Sequence, residues 1–138
     1  MKKILVVDDS PAWRGFHKKF LEEVFIELET AEEDYKLDFA VSGQDGYNYI
    51  MQNNDSPYDL IISDLQMEED YSPKYAGEWF VEQVKTFSNY FNTKIVICSG
   101  CYNIKHIAQE LSVFYIPKRV AVNDVNEYKD LVISLIKK

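Results

Sequence analysis

The stretch Tyr58-Asp59-Leu60-Ile61-Ile62-Ser63-Asp64-Leu65-Gln66-Met67 decides the fold of this chain. Its apolar run ends in the polar pair Ser63-Asp64, a pattern that predicts a buried parallel strand with one carboxylate at its C-terminal edge. A single aspartate in such a place is commonly a loop residue or a helix cap. Its meaning therefore depends on what the other strands bring to the same edge.

Two further apolar strands end in a similar way. Ile4-Leu5-Val6-Val7 leads into Asp8-Asp9, and Lys94-Ile95-Val96-Ile97-Cys98 leads into Ser99-Gly100. Ligands of an open parallel sheet bind beyond the carboxyl ends of its strands, where the loops converge. We therefore expect Asp64 to lie at the centre of a functional site.

The bulk composition restricts the class of protein. A chain of 138 residues, 46% of them hydrophobic, predicts one domain over 1–138 with no output domain. The net charge of -8 argues against a nucleic-acid surface, which needs clustered Lys and Arg. No apolar run has the length of a membrane span, and no signal peptide precedes the first strand. We expect a cytoplasmic protein that does not bind membranes.

Strand and helix patterns alternate along the whole chain. The predicted strands lie at 2–8, 36–42, the stretch quoted first, 94–98 and 112–116. Ser10-Pro11 and Asn123-Asp124 predict the starts of the first and last helices. Phe80, Val84, Phe87 and Phe91 have helical spacing and predict an amphipathic helix that extends to Phe91. Five strands alternating with five helices predict an α/β fold, a doubly wound five-stranded parallel sheet with helices on both faces.

The cysteines, the histidines and one acidic run are interpreted as structural or surface residues rather than as functional ones. Cys98-Ser99-Gly100-Cys101 has the C-x-x-C spacing of thioredoxin-like turns, but small buried cysteines are common and we favour coincidence. His17 and His106 lack metal-like spacing and are expected at the surface or its boundary. The acidic run at 22–34 predicts a solvated face, with an electrostatic docking patch as the alternative.

The predicted edge of the sheet collects Asp8, Asp9, Asp64, Ser99 and Lys118. Three crowded carboxylates need a cation, and hard oxygen ligands select Mg²⁺ or Mn²⁺. A carboxylate can attack a phosphoryl group and form an aspartyl phosphate. A fixed cation and a hydroxyl can then stabilise the charge on the equatorial oxygens. This set of residues predicts phosphoryl transfer.

The order of these five residues along the alternating strands resembles that of the receiver domain of two-component response regulators. The resemblance covers nearly all of the chain. The signature is an acidic pair after the first strand, an acceptor aspartate after the third, Ser or Thr after the fourth and Lys after the fifth. The resemblance implies the flavodoxin-like receiver fold with strand order 2-1-3-4-5. It also implies phosphorylation by a histidine kinase or phosphotransfer protein, and signalling to a downstream protein or a homodimer through the fourth helix, fifth strand and fifth helix.

The same resemblance implies a role for each site residue. Asp64 is the expected phosphoacceptor, and Mg²⁺ is expected on Asp8, Asp9, Asp64 and the backbone carbonyl of Gln66. Ser99 and Lys118 are expected to contact the phosphoryl group, and Ser99 and Tyr115 are expected to move together as a switch. By their positions relative to Asp64 and Ser99, Gln66 and Cys101 are expected to tune hydrolysis. Oxidation of Cys101, or its pairing with Cys98, is then a hypothetical way to perturb signalling.

Two features depart from the family pattern. The family usually has Lys-Pro after the fifth strand, whereas here Pro117 precedes Lys118 and Arg119 follows it, which predicts a reshaped turn. The family also has a glycine about eight positions after the acceptor. If Gly77 is that glycine, it lies thirteen positions after Asp64. We expect roughly five inserted residues in an acidic loop, 68–76, that overhangs the site.

The sequence leaves three other functions as alternatives. One is a non-switching receiver-like module that only binds other proteins. Another is a haloacid-dehalogenase-type phosphatase with an aspartate nucleophile, but those enzymes carry D-x-D after the first strand, whereas this chain has Asp8-Asp9-Ser10. A flavodoxin-like cofactor binder is disfavoured because no phosphate-cradling loop follows the first strand.

Overall fold

The computed structural model describes residues 1–67, 70–71 and 74–137. It contains an α/β domain with one large parallel sheet and helices on both faces. The strands are β1 (Lys2–Val7), β2 (Tyr35–Ala40), β3 (Leu60–Ser63), β4 (Asp70–Tyr71), β5 (Lys74–Tyr75), β6 (Lys94–Ser99) and β7 (Phe114–Pro117). The helices are α1 (Pro11–Glu27), α2 (Gly43–Gln52), α3 (Ala76–Val84), α4 (Ile104–Leu111), α5 (Lys118–Asn123) and α6 (Val125–Ile136).

The large sheet has the order β2-β1-β3-β6-β7, and all of its strands are parallel. Strands β4 and β5 form a separate antiparallel pair, so β6 and β7 are the fourth and fifth strands of the sheet. The doubly wound fold and the strand order 2-1-3-4-5 are therefore confirmed. Val7 pairs with Ser63, so β1 and β3 end at the same level, and Ser63 pairs with Ile97, so β6 extends two residues further, to Ser99.

The core has two layers, one on each face of the sheet. Ile4 and Val6 of β1 face a cluster under α1, α5 and α6, whereas Leu5 and Val7 face a cluster under α2 and α3. A third cluster lies under α4 and includes Ile97. The central strands are thus buried on both faces, which is why their sequences are continuous apolar runs rather than alternating ones.

The predicted helix starts at Ser10-Pro11 and Asp124 are confirmed. The hydroxyl of Ser10 accepts a hydrogen bond from the backbone N–H of Trp13 at 3.3 Å, and Pro11 is the first helical residue. A carboxylate oxygen of Asp124 accepts from the backbone N–H of Glu127 at 3.2 Å. Each cap satisfies a donor that the first turn of a helix leaves unpaired.

The prediction of a helix that extends to Phe91 is wrong. Helix α3 ends at Val84, and a 3₁₀ turn follows. The backbone N–H and the hydroxyl of Thr86 both donate to the carbonyl of Gln83, which an α-helix would offer to residue 87. This side-chain competition ends the helix. Phe87 still packs on the core, but Phe91 is 89% exposed.

The chain between α4 and α6 also differs from the prediction. Ser112, expected in a strand, adopts a left-handed conformation with φ of 57° that ends α4, so β7 starts only at Phe114. The additional helix α5 begins at Lys118, directly after Pro117. The reshaped turn after the lysine is therefore a short helix, and Asn123, expected to cap the last helix, is its final residue.

The predicted insertion at 68–76 is only partly described. Within it, Asp70–Tyr71 pairs with Lys74–Tyr75 in a short hairpin, and residues 68, 69, 72 and 73 lie outside the described residues. Lys74 Nζ lies 2.6 Å from a carboxylate oxygen of Glu82 on α3. Whether the segment overhangs the site stays a prediction.

The two histidines differ in their surroundings. His106 is an exposed residue paired with Glu110 at 2.5 Å, as expected. His17 is buried, and its Nδ1 lies 2.7 Å from the hydroxyl of Tyr128, so the expected surface position is wrong. Burial, together with the charge of Lys118, lowers the pKa of His17 to about 3.

The described residues include no helix that is long and apolar enough to span a bilayer.

Candidate functional site

The three predicted carboxylates lie together at the C-terminal edge of the sheet. Asp8 continues β1 and donates its N–H to the carbonyl of Ala40, while Asp64 continues β3 and donates its N–H to the carbonyl of Val7. These bonds extend the strand pairing by one residue and fix both backbones. One carboxylate oxygen from each of Asp8, Asp9 and Asp64 lies within 4.8 Å of the others. Asp8 is 1% exposed and Asp64 is 5% exposed.

Lys118 joins this cluster from the first turn of α5. Its Nζ lies 2.9 Å from Asp64 Oδ2 and 3.1 Å from Asp8 Oδ2. Burial by itself lowers the pKa of Lys118, but the carboxylates of Asp64 and Asp8 outweigh burial and leave that pKa raised. The residue is therefore a fixed cation at neutral pH.

The two oxygens of Asp8 have different partners. Oδ1 accepts a hydrogen bond of 2.9 Å from the backbone N–H of Ser10. Oδ2 is buried and accepts no hydrogen bond in the described residues, but it forms an ion pair with the ammonium of Lys118, 3.1 Å away. Burial, followed by the charge of Asp64, raises the pKa of Asp8. A buried oxygen without a hydrogen bond, in a group of three carboxylates, fits a hard divalent cation, so this cluster could hold Mg²⁺ or Mn²⁺.

Both carboxylate oxygens of Asp64 accept a hydrogen bond. Oδ1 accepts a 2.7 Å hydrogen bond from the backbone N–H of Leu65, and Oδ2 contacts Lys118. Gly77, at the start of α3, donates its N–H to the carbonyl of Leu65 at 3.0 Å. A Cβ atom at residue 77 would lie 2.0 Å from the carbonyl oxygen of Asp64. Only glycine allows this approach. That Gly77 is the counterpart of the family's glycine stays a prediction.

Ser99 and Tyr115 line a cleft beside Lys118. Ser99 is fully buried at the end of β6, and its hydroxyl accepts from the backbone N–H of Cys101 at 3.2 Å. In the described part of the chain, no hydrogen bond joins Ser99 to Asp64 or Lys118. A cleft of about 450 Å³ is lined by residues that include Ser99, Tyr115 and Lys118. The switch roles of Ser99 and Tyr115 stay predictions.

Gln66 is the least defined of the predicted ligands. Its side chain is exposed on the loop two residues after Asp64. Ligation of a metal ion by its backbone carbonyl stays a prediction. The structure therefore brings Asp8, Asp9, Asp64 and Lys118 together and leaves Ser99, Tyr115 and Gln66 at the border of the cluster.

The two thiols face different sides of the sheet. Cys98 belongs to the cluster under α1, α5 and α6, whereas Cys101 belongs to the cluster under α4. Both are free, and burial raises the pKa of Cys98 to about 12. A reactive thiol needs a lowered pKa, so this environment disfavours a thioredoxin-like site. Separation across the sheet also disfavours pairing, while the effect of Cys101 oxidation stays a prediction.

Two residues of α1 that the sequence did not single out also reach the site. Lys118 Nζ lies 4.7 Å from the ring centre of Trp13. Arg14 Nη1 donates to the backbone carbonyl of Asp8 at 2.9 Å. Both residues lie in the first turns of a helix that starts directly after the acidic pair. Their position one turn after the capping residue Ser10 was the available signal.

Comparisons with known proteins support the fold through structure alone. No protein-family model matches the chain, and no curated protein sequence matches it. A signal receiver domain of two-component signal transduction (histidine kinase) from Clostridium thermocellum superposes with a TM-score of 0.71 at 18% identity, covering 99% of this chain and 98% of that one.

Two further structures agree. The phosphorylated cyanobacterial phytochrome response regulator RcpA matches with a TM-score of 0.66 at 21% identity, over 96% of this chain and 89% of that one. The non-phosphorylated HemR receiver domain from Leptospira biflexa matches with a TM-score of 0.61 at 18% identity, over 98% and 96%. At these identities the likeness establishes the fold, which is the fold of response regulator receiver domains.

Proposed function

We propose that this chain is a response regulator receiver that accepts a phosphoryl group on Asp64 from a histidine kinase or a phosphotransfer protein in the cytoplasm. The observation that carries the proposal is the 2.9 Å contact between Lys118 Nζ and Asp64 Oδ2, beside two further carboxylates. A transferred phosphoryl group carries charge on its equatorial oxygens and needs such a fixed cation. The receiver fold supports the same reaction.

In the proposed reaction a carboxylate oxygen of Asp64 forms a bond to the donor's phosphorus atom. The bond between phosphorus and the donor breaks, and its electron pair leaves on the donor atom. The ammonium of Lys118 stabilises the charge on the transferred group, and the hydroxyl of Ser99 donates to one of its oxygens. Hydrolysis of the aspartyl phosphate then restores Asp64, and no other enzymatic activity is proposed.

A divalent cation, Mg²⁺ or Mn²⁺, completes the proposed site. It would be held by Asp8, Asp9, Asp64 and the backbone carbonyl of Gln66, and it would supply the positive charge that draws phosphoryl oxygens to the carboxylates. The support is the buried oxygen Asp8 Oδ2, which accepts no hydrogen bond from the protein. Among the described residues, the salt bridges of these carboxylates are those of Lys118 with Asp8 and Asp64.

The proposed output surface is the face formed by α4, β7 and α6. A groove of about 900 Å³ along β7 and α6 is lined by residues that include Tyr115, Asp124, Glu127 and Asp130. Tyr115 lines both this groove and the cleft beside Ser99. A rotation of Tyr115 that follows a movement of Ser99 would change the shape of the groove, which is a two-state switch for a downstream protein or a homodimer.

A non-switching protein-interaction module is the second candidate. The observation that favours it is the start of α5 at Lys118, in place of the family's usual Lys-Pro turn. The same helix nevertheless brings Lys118 Nζ to Asp64. We prefer the phosphorylated receiver because a module that only binds partners has no need of this contact.

The test is the intact mass of the protein after incubation with Mg²⁺ and acetyl phosphate. We expect the gain of one phosphoryl group, which requires Mg²⁺ and is absent from Asp64→Asn. The matched control is Asp55→Asn, which changes an exposed aspartate of a loop and is expected to behave like the wild type. No gain in folded wild-type protein, with either acetyl phosphate or a histidine kinase as donor, would favour the non-switching module.

A further inference from the structure

Trp13 covers the ammonium group of Lys118. Nζ lies 4.7 Å from the centre of the indole ring, 2.9 Å from Asp64 Oδ2 and 3.1 Å from Asp8 Oδ2. The face of an aromatic ring attracts a cation through its quadrupole, and tryptophan gives the strongest attraction. The same ammonium is thus held by an indole and by two carboxylates.

The indole itself is fixed at the start of α1. The backbone N–H of Trp13 donates to Ser10 Oγ at 3.3 Å, and the backbone N–H of Ser10 donates to Asp8 Oδ1 at 2.9 Å. The first turn of α1 is therefore tied to one of the carboxylates of the site. The ring also packs against Phe16, at 4.8 Å between ring centres, and against the buried ring of His17 at 5.8 Å.

Lys118 needs an external support of this kind. A lysine carries its charge on a flexible four-carbon stem with rotatable donors, so its position is set by what surrounds the ammonium. In this chain Lys118 is the first residue of the six-residue helix α5 and is followed by Arg119 rather than by a proline. The surroundings of Nζ, rather than a proline-containing turn, fix its direction.

We propose that Trp13 is a positioning residue for phosphoryl transfer, which holds the Lys118 ammonium against Asp64 and has no part in binding the metal ion. The inference rests on the proposed function. If Trp13 only buries apolar surface, a leucine of similar hydrophobicity can replace it. If it positions a cation, another aromatic ring is required.

The first experiment compares Trp13→Leu with Trp13→Phe. We expect Trp13→Leu to slow Mg²⁺-dependent phosphorylation by about 2- to 30-fold, the range that corresponds to one cation–π contact. Trp13→Phe is expected to retain most of the rate, and the affinity for Mg²⁺, measured by calorimetry, to stay unchanged in both. The matched control is Trp79→Leu, which removes the other tryptophan of the chain from α3 and is expected to leave the rate unchanged.

The second experiment asks whether the effect passes through Lys118. In a Lys118→Gln background, Trp13→Leu is expected to cause no further loss of rate, because the cation that it positions is already absent. Equal rates for the Leu and Phe variants, or a full loss in the Lys118→Gln background, would overturn the proposal. A parallel loss of Mg²⁺ affinity would overturn it as well.

A third measurement is independent of phosphoryl transfer. In a double-mutant cycle of urea unfolding, Trp13→Leu and Lys118→Gln are expected to be coupled by about 2- to 30-fold in the unfolding equilibrium constant. No coupling would overturn the contact between indole and ammonium, whatever the rates are. If the cycle shows coupling but the wild-type protein takes up no phosphoryl group, the contact between indole and ammonium stands. The proposed function and the role of Trp13 in phosphoryl transfer would then both be refuted.

Discussion

Replacement of Gly77 by alanine tests how closely α3 approaches the acceptor strand. The new Cβ would lie 2.0 Å from the carbonyl oxygen of Asp64 and 2.6 Å from the Cα of Leu65. Both atoms belong to the backbone, so no side-chain rotation relieves the contact. Ordinary van der Waals contact starts at 3.4 Å, and the backbones must therefore separate by more than 1 Å.

Two magnitudes follow from this displacement. Overpacking a core costs about 1–3 kcal/mol, and a clash with rigid backbone belongs at the upper end of that range. We expect Gly77→Ala to lower the free energy of unfolding by about 3 kcal/mol and the melting temperature by about 10 °C. Because Asp64 moves with its carbonyl, and a misplacement of about 1 Å can cost 100-fold in rate, phosphorylation of the folded variant should fall by about that factor.

The assay is urea unfolding followed by circular dichroism, together with phosphorylation kinetics from intact mass. Gly15→Ala and Gly100→Ala are the matched controls, since a Cβ at either residue meets no atom within 4 Å. Gly15 lies inside α1, where alanine should stabilise by about 0.5–1 kcal/mol. If Gly77→Ala unfolds within about 0.5 kcal/mol of the wild type, the close approach of α3 to Asp64 is refuted.

Three further predictions concern buried and charged groups. Burial lowers the pKa of His17 to about 3, so between pH 6.5 and 3 the unfolded chain binds more protons than the native one. The free energy of unfolding should therefore fall as the pH drops from 6.5 to 5, by up to about 1.4 kcal/mol per pH unit. Urea unfolding should show that His17→Gln has a smaller slope, and equal slopes would contradict a buried neutral imidazole. Asp8→Asn or Asp9→Asn should each weaken Mg²⁺ binding by about 10-fold or more in calorimetry, and unchanged affinity would place the metal elsewhere. Burial raises the pKa of Cys98 to about 12, so iodoacetamide should modify this thiol at pH 8 only after unfolding. Rapid modification of the native protein, measured by mass, would show that the thiol is accessible.

The central part of the site was predictable from the sequence because it depends on strand periodicity. Apolar runs long enough for buried strands end at Asp8 and Asp64, and parallel strands bring their carboxyl ends to one edge. The pairing of Val7 with Ser63 is the register that this reasoning requires. The family resemblance also implied a glycine after the acceptor, and Gly77 was the candidate for it.

The burial of His17 was not predicted, because its hydrogen-bond partner is distant in sequence. It lies four residues before Leu21 and seven before Val24, on the stripe of α1 that faces the core. Its spacing therefore indicated a buried side chain, and its polarity argued against one. The hydroxyl of Tyr128, distant in sequence, satisfies Nδ1 and makes burial acceptable.

The ends of the helices depended on local hydrogen bonds that periodicity does not show. Phe87 and Phe91 continue the apolar spacing of α3, but Thr86 ends the helix by donating to Gln83. Likewise, nothing in the apolar pattern indicated that Lys118 would start a helix. The contact between Lys118 and Trp13 depends on that helix, and it could not be predicted before the start of α5 was known.

Phosphorylation of Asp64 is tested most directly by locating the modified residue. After incubation with Mg²⁺ and a phosphodonor, borohydride reduction converts an aspartyl phosphate into homoserine, and tandem mass spectrometry of the peptides identifies its position. We expect homoserine at residue 64 and at no other aspartate, with no signal from Asp64→Asn. Homoserine at Asp8 or Asp9, or a phosphoryl group on a hydroxyl side chain, would contradict it.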